Sequence, residues 1–251
     1  MPELVVFRME APIAAFGDLA VGERRGSERR PSHSAVAGLL ASALGLGRDT
    51  SGREDLAARF FLAVRTDSIG TPLADFHTAQ TPPQRRGRTY ATRRAELAVK
   101  DDLGTIVSRR DYLTDVAFTV LIWPKADLSP AAPGIAAALN RPAFTPFAGR
   151  RSCPVGAPFC AMALASDTIL DAFAAYDRLL HARLPSVNLS PPETIDIAFD
   201  SAMPGEATVG LAATRTGKRR DMPLTREPWQ FELRDETVAR PAATATTGAA
   251  T

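Results

Sequence analysis

The side chains best equipped for chemistry in this chain are arginines. Four of them, Arg24, Arg25, Arg29 and Arg30, crowd the residues just ahead of Pro31, and Ser32 and Ser34 follow. A proline and then a serine read as the start of a helix. The first N–H groups of a helix have no partner inside it, and its dipole favours negative charge there. Four guanidiniums nearby would add charge-assisted hydrogen bonds to an anion. The plain alternative is a solvated loop in which Glu23 and Glu28 pair with some of them. A second group, Arg85, Arg86, Arg88, Arg93 and Arg94, surrounds Tyr90. Arginines interleaved with an aromatic suit single-stranded nucleic acid, because phosphates take the charge and bases stack on flat groups. A solvated hairpin is the alternative there.

Other chemistries find less support. In the segment DFHT (75–78), His77 stands two residues from Asp75, a spacing that serves a structural hydrogen bond or a catalytic pair. Cys153 and Cys160 are far from His33, His77 and His181 and lack zinc spacing. Neither a phosphate-binding glycine loop nor a serine nucleophile elbow is present. No metal and no cofactor is therefore expected. Cys153 reads as a small buried residue.

The 251 residues carry a net charge of only +2, yet the charge is unevenly placed. Residues 22–94 hold 13 Arg against 7 acids, and residues 155–212 hold 2 Arg against 7 acids. An anionic ligand for the first region and protein contacts for the second follow from that asymmetry. The apolar run from Ser34 to Gly47 is too short to cross a bilayer. The N-terminus shows no signal-peptide pattern, and two cysteines fit a reducing, cytoplasmic location.

Several elements can hold these residues in place. Strands are expected at Leu4–Met9, Phe61–Arg65, Tyr112–Trp123 and Ala143–Arg150. Helices are expected from Ser32 or Ser34 to Leu46, at Arg53–Phe60 and at Leu128–Leu139. The order is strand, helix, strand, long insert, strand, helix, strand. That is the βαββαβ pattern of an α+β, ferredoxin-like fold with an excursion between its second and third strands. An insert that long needs structure of its own and reads as a functional arm. Beyond residue 155 a helix is expected at Asp167–Leu184, with short strands near Thr194–Phe199, Ala207–Ala213 and Trp229–Arg234. The division is a palm over 1–155, a small β-rich C-terminal part over 156–238, and a disordered, low-complexity tail over 239–251.

Five stretches together resemble a known family: FRMEAPIAAFG (7–17), RRPSHSAVAGLLASALGL (29–46), VRTDSIGTPLADFHT (64–78), YLTDVAFTVLI (112–122) and AGRRSCPVGAP (148–157). The chain is similar to the CasD family of CRISPR-associated proteins, in the RAMP superfamily. The likeness covers roughly residues 4–160 and is loose beyond. Two departures stand out. Phe16-Gly17 replaces the family's Trp-Gly. Pro31-Ser32-His33-Ser34-Ala35 replaces Pro-Thr-Lys-Ser-Gly, so His33 stands where the family has a lysine.

The resemblance implies an RRM/RAMP-type palm with an inserted β-hairpin thumb, at about 78–112. It implies a non-catalytic RNA-binding subunit of a type I-E Cascade surveillance complex in antiviral defence. Such a subunit grips the 5′ handle of the CRISPR RNA (crRNA) and caps the filament of backbone subunits. Expected partners are crRNA, the backbone subunit, the large subunit and other Cascade proteins, with target DNA met through the assembled complex and no membrane. By motif position and charge, the RNA-binding residues are Arg24, Arg25, Arg29, Arg30, His33, Ser34, His77, Arg85, Arg86, Arg88, Tyr90, Arg109, Arg110, Arg150 and Arg151. A relative in another CRISPR subtype cuts the repeat RNA without metal. The alternative is therefore a metal-independent endonuclease, with His33, His77, Tyr90, Lys100 and Tyr112 as candidates for acid and base.

Overall fold

The computed structural model describes residues 1–17, 20, 22–47, 56–83, 87, 89–98, 103–126, 128–185, 195–226 and 229–242. Its centre is one large, mostly antiparallel sheet. The strands are β1 (Glu3–Ala14), β2 (Arg24–Arg25), β3 (Phe60–Ser68), β4 (Thr71–Thr81), β5 (Gly104–Pro124), β6 (Met162–Ala165), β7 (Ile197–Asp200), β8 (Leu211–Arg226) and β9 (Trp229–Pro241). The helices are α1 (His33–Ala43), α2 (Arg93–Glu96), α3 (Ala132–Asn140) and α4 (Ile169–Arg183). The strand order is β6-β1-β5-β3-β7-β9-β8, with β2 and β4 pairing on β5 outside that path.

The central strands read as continuous apolar runs because both of their faces are covered. On β1, Val5, Phe7 and Met9 join the core beneath α1 and α3, while Leu4 and Val6 join a second core beneath α4. On β5, Phe118, Val120 and Ile122 take the first side, and Leu121 and Trp123 the second. Successive side chains of a strand point to opposite faces, so a strand with two cores cannot alternate with polar residues.

Helix ends follow local chemistry. The Ser32 hydroxyl accepts from the Ala35 N–H at 3.1 Å and starts α1. Gly45, at φ +74, ends that helix three residues before the expected Leu46, and the Leu46 N–H returns to the Ala41 carbonyl. Thr168 caps α4 through the Asp171 N–H. Buried Ile169, Ala172, Phe173, Tyr176 and Leu180 form its apolar stripe. The helix expected at Leu128–Leu139 begins only at Ala132, after Pro130. Of the helix expected at Arg53–Phe60, residues 53–55 lie outside the described residues and 56–58 are helical.

Two expectations need correction. Ala143–Arg150 is not a strand. Pro146 lacks a donor there, and Gly149 turns left-handed at φ +86, with the position of a Cβ only 2.0 Å from the Ala15 carbonyl oxygen. The strand that flanks β1 is instead Met162–Ala165, with Val6 opposite Met162. The disordered tail does not begin at 239. β9 runs to Pro241, and buried Ala239 sits between Ile197 and Ala213. Residues 243–251 lie outside the described residues.

The insert is built on a two-stranded ribbon. β4 pairs with β5 from Thr71↔Thr114 to Thr81↔Gly104 without a register shift. Gly70, at φ +67, makes the turn into it, where a Cβ would fall 1.8 Å from the Thr114 oxygen. The ribbon therefore starts seven residues before the expected position 78. The C-terminal strands extend the same sheet, because β7 pairs with β3, β9 with β7 and β8 with β9.

Candidate nucleic-acid interface

The root of the ribbon gathers much of the predicted site. β2 lies parallel to β5 with Arg24 beside Arg109 and Arg25 beside Arg110. The Arg109 N–H donates to the Glu23 carbonyl at 3.0 Å. Both Arg24 and Arg109 reach Asp111, at 3.0 and 3.5 Å, and both stay largely exposed. One carboxylate between two guanidiniums leaves positive charge in excess. Phe76, 68% exposed, stands opposite Arg109 in the β4–β5 register. The other face of the ribbon carries Arg110 opposite Asp75, and His77 opposite Ser108. His77 Nε2 lies against the Asp75 carboxylate, and both side chains are open to solvent. An exposed aromatic among exposed arginines can stack on a base while the charges hold its phosphates.

Arg150 plays a different part from the one expected. Its guanidinium donates to the carbonyls of Asp111 (3.1 Å), Arg25 (2.7 Å) and Gly26 (3.1 Å), and it lies over the Tyr112 ring at 4.8 Å. It thereby ties the arginine loop to β5. Three of its donors are occupied by backbone, so it positions Arg24 and Arg25 rather than offering a free fork. Its neighbour Arg151 is exposed. Tyr90 is half-buried, and Ser34 shares a 3.0 Å hydrogen bond with Ser32. Arg85, Arg86 and Arg88 lie outside the described residues.

His33 does not stand in for a phosphate-binding lysine. It is 0% exposed, with its ring stacked on Phe60 at a centroid distance of 4.5 Å and 9° between planes. Burial lowers its pKa, a shift that Asp200, 3.8 Å from Nε2, opposes and Arg234 reinforces. Its backbone N–H donates to Asp221 at 2.9 Å. The ring is enclosed by its packing against Phe60 and presents no donor at the surface.

Asp221 belongs to a buried polar network that sequence inspection missed. Arg234 binds Asp200 at 2.5 Å, Asp221 at 2.8 and 2.9 Å, and Glu236 at 3.1 Å. Glu236 also pairs with Arg30 and, at 3.1 Å, with Arg219. Asp200 accepts the Leu62 N–H at 2.7 Å. Burial opposes the charge of Asp221 and Glu236. Hydrogen bonds from Arg234 to the first and from Arg30 to the second outweigh it and hold both carboxyls below their ordinary range. The network fastens the arginine loop to β8 and β9.

That fastening forms two adjoining clefts. One, of about 570 Å³, lies between residues 27–32 and β8, with Arg29, Arg215, Lys218 and Arg220 in its lining. The other, of about 580 Å³, shares Arg29, Arg30, Arg215 and Val238 with it and continues to Arg240. The run Lys218-Arg219-Arg220 was the one sequence signal for this side, and it lies just beyond the acidic window that ends at 212. Arg65, counted in the basic half, is likewise structural. It forks onto Asp177 at 2.6 and 2.9 Å and reaches Asp67 at 2.7 Å, joining β3 to α4. Among the described residues, no cluster of His, Cys, Asp and Glu could hold a metal, and no helix is long and apolar enough to cross a membrane.

Residues 4–236 match the model of a family described as CRISPR-associated protein (Cas_Cas5). The CRISPR system Cascade subunit CasD of Escherichia coli (strain K12) is 31% identical over 169 residues, covering 66% of this chain and 74% of that one. A solved structure titled CRISPR RNA-guided surveillance complex superposes with a TM-score of 0.63 at 23% identity, covering 95% of this chain and 90% of the other. A second, titled Crystal structure of Cas protein, gives a TM-score of 0.58 at 20% identity, covering 94% and 95%.

Proposed function

The chain belongs to the CasD/Cas5 family of CRISPR-associated proteins, and from that premise we propose that it is the non-catalytic subunit of a type I-E Cascade complex that grips the 5′ handle of crRNA. One observation carries the reading. The β4–β5 ribbon stands out from the sheet with both faces open, and Arg24, Arg25, Arg109 and Arg110 ring its root beside exposed Phe76. A ribbon of that kind needs a partner to bury its apolar side chains. Flat, charged groups at its root suit a splayed single strand. In this reading residues 1–155 are a ferredoxin-like palm, supported by the order β6-β1-β5-β3 with α1 and α3 on one face. The ribbon is the thumb, and residues 156–238 form the smaller C-terminal part. The subunit works in the cytoplasm, caps the backbone filament, contacts the large subunit and meets target DNA through the assembled complex.

The test is the salt dependence of binding of a fluorescent repeat-derived RNA, followed by anisotropy. Replacing three phosphate contacts, as Arg24→Gln, Arg109→Gln and Arg110→Gln together, should reduce the slope of log K against log salt by about 2. An unchanged slope removes the ribbon root from the reading. The exposed Asp75–His77 pair favours one rival, a metal-independent repeat endonuclease. Cleavage of a repeat-containing transcript in chelator, abolished by His77→Ala, would establish that rival instead.

A further inference from the structure

The cleft between the arginine loop and β8 offers positive charge that the ribbon root does not use. Its lining holds six cations (Arg29, Arg30, Arg215, Lys218, Arg219 and Arg220) against Glu28, Asp221 and Glu236. Arg30 and Arg219 are already engaged by Glu236, and Lys218 by Asp235. Arg29, Arg215 and Arg220 have no acidic partner among the described residues, and all three are exposed. Arg29 and Arg215 line both clefts, so they stand where one opens into the other. Charge shared along a connected groove, rather than focused at one point, matches a polyanion of several units.

The lining is also notable for what it contains besides charge. Among the described residues neither cleft has an aromatic side chain, and the apolar contribution comes from Val238, Ile69 and Ala198. Base stacking, the usual grip on splayed nucleotides, has no platform there. Guanidiniums on an aromatic-free floor contact phosphates, which carry no sequence information.

We propose that these joined clefts are a second, sequence-indifferent track for the sugar–phosphate backbone of single-stranded RNA, held by Arg29 and Arg215, with the bases facing away. The inference rests on the RNA-binding reading of the ribbon root and extends it. The root takes bases and phosphates, and the cleft takes phosphates alone. The polar network of Arg234, Asp221 and Glu236 then has a purpose in binding, because it holds the loop that carries Arg29 against the strand that carries Arg215.

The experiment compares the full chain with Arg29→Gln/Arg215→Gln, using two fluorescent single-stranded RNAs of equal length, one repeat-derived and one oligouridine. Loss of two single-strand phosphate contacts should lower the salt slope by about 1.4, so that the drop in affinity between 50 and 200 mM salt becomes about sevenfold smaller. The change should be the same for both RNAs. Neither arginine has an acidic partner among the described residues, so the melting temperature should not move. Arg29→Lys/Arg215→Lys should retain the slope and so separates lost charge from lost shape. An unchanged slope in the Gln variant overturns the track while leaving the ribbon root to be judged by Arg24→Gln/Arg109→Gln/Arg110→Gln. A change confined to the repeat-derived RNA overturns the claim of sequence indifference. Tighter binding of duplex DNA than of single-stranded RNA, lost in the Gln variant, would assign the clefts to DNA and refute the proposal.

Discussion

Replacing Arg234 by Leu should be among the most damaging single changes in the C-terminal half. The guanidinium makes four hydrogen bonds to three carboxylates, Asp200, Asp221 and Glu236, and all three are buried. At about 1.5–3 kcal/mol for a bond involving a charged group, the gross loss would be roughly 6–12 kcal/mol. The three carboxylates would not be left wholly alone, because Arg30 and Arg219 still reach Glu236, Arg219 stands 3.6 Å from Asp221, and the backbone N–H groups of Leu62 and His33 still donate to Asp200 and Asp221. The expected net cost is therefore that of removing one partner from a buried ion pair, about 3–5 kcal/mol. In a chain of this size that lowers Tm by about 6–20 °C. Thermal melts at pH 7 and pH 4 test the account. In the wild type, Asp221 and Glu236 titrate below their ordinary range. They contribute stability that is present above the unfolded carboxylate pKa and lost as pH falls through the folded one. In Arg234→Leu, Arg30 and Arg219 still hold Glu236, but at Asp221 burial is no longer outweighed, so that carboxyl takes up a proton on acidification and the gap between the two proteins should narrow at pH 4. A Tm loss under about 2 °C at pH 7, or a gap that widens in acid, would refute the reasoning. Restored stability in Arg234→Leu/Asp221→Leu relative to the single variant would support it, since that variant buries one fewer unpaired charge.

His33 makes stability fall on mild acidification. Its folded pKa is lowered, so the unfolded chain takes up a proton near pH 6.5 that the native chain refuses. Between pH 6.5 and 5 the wild type should lose at most about 1.4 kcal/mol per pH unit from this residue. Urea titrations of His33→Leu should show that loss abolished, and an equal pH dependence in both proteins would contradict it. Gly149→Ala should cost more than about 2 kcal/mol in the same assay, since it adds a steric conflict with the Ala15 carbonyl to the left-handed backbone penalty. Gly22→Ala, also at positive φ but with open space around it, should cost no more than about 1 kcal/mol. Cys153 is buried and its thiol pKa is pushed up by desolvation, so a thiol reagent should label it only after denaturant is added. Rapid labelling in the native chain would show that the loop at 148–157 opens.

Several features were fixed by local sequence. β1 and β5 are legible because a strand covered on both faces must be apolar throughout, and α1 and α4 because Ser32 and Thr168 cap them from within a few residues. The ribbon was legible as an insert without a core pattern, and the arginine loop as a cluster. The family resemblance was legible in short motifs, and the match of the family model spans residues 4–236. The remainder depended on contacts that no window can contain. Arg30 meets Glu236 across 206 positions, and the His33 N–H meets Asp221 across 188. Those pairings turned Arg30 and Arg234 from free charges into structural ones, buried the histidine that stands in the lysine position, and brought β8 alongside the loop to make the clefts. Likewise the strand beside β1 could be placed at 162–165 only by its pairing, because four residues are too few for an alternating pattern to stand out. Charge composition is a property of residues, whereas free charge is a property of what the fold leaves unpaired. Only the tertiary structure could separate Arg29 and Arg215 from their neighbours.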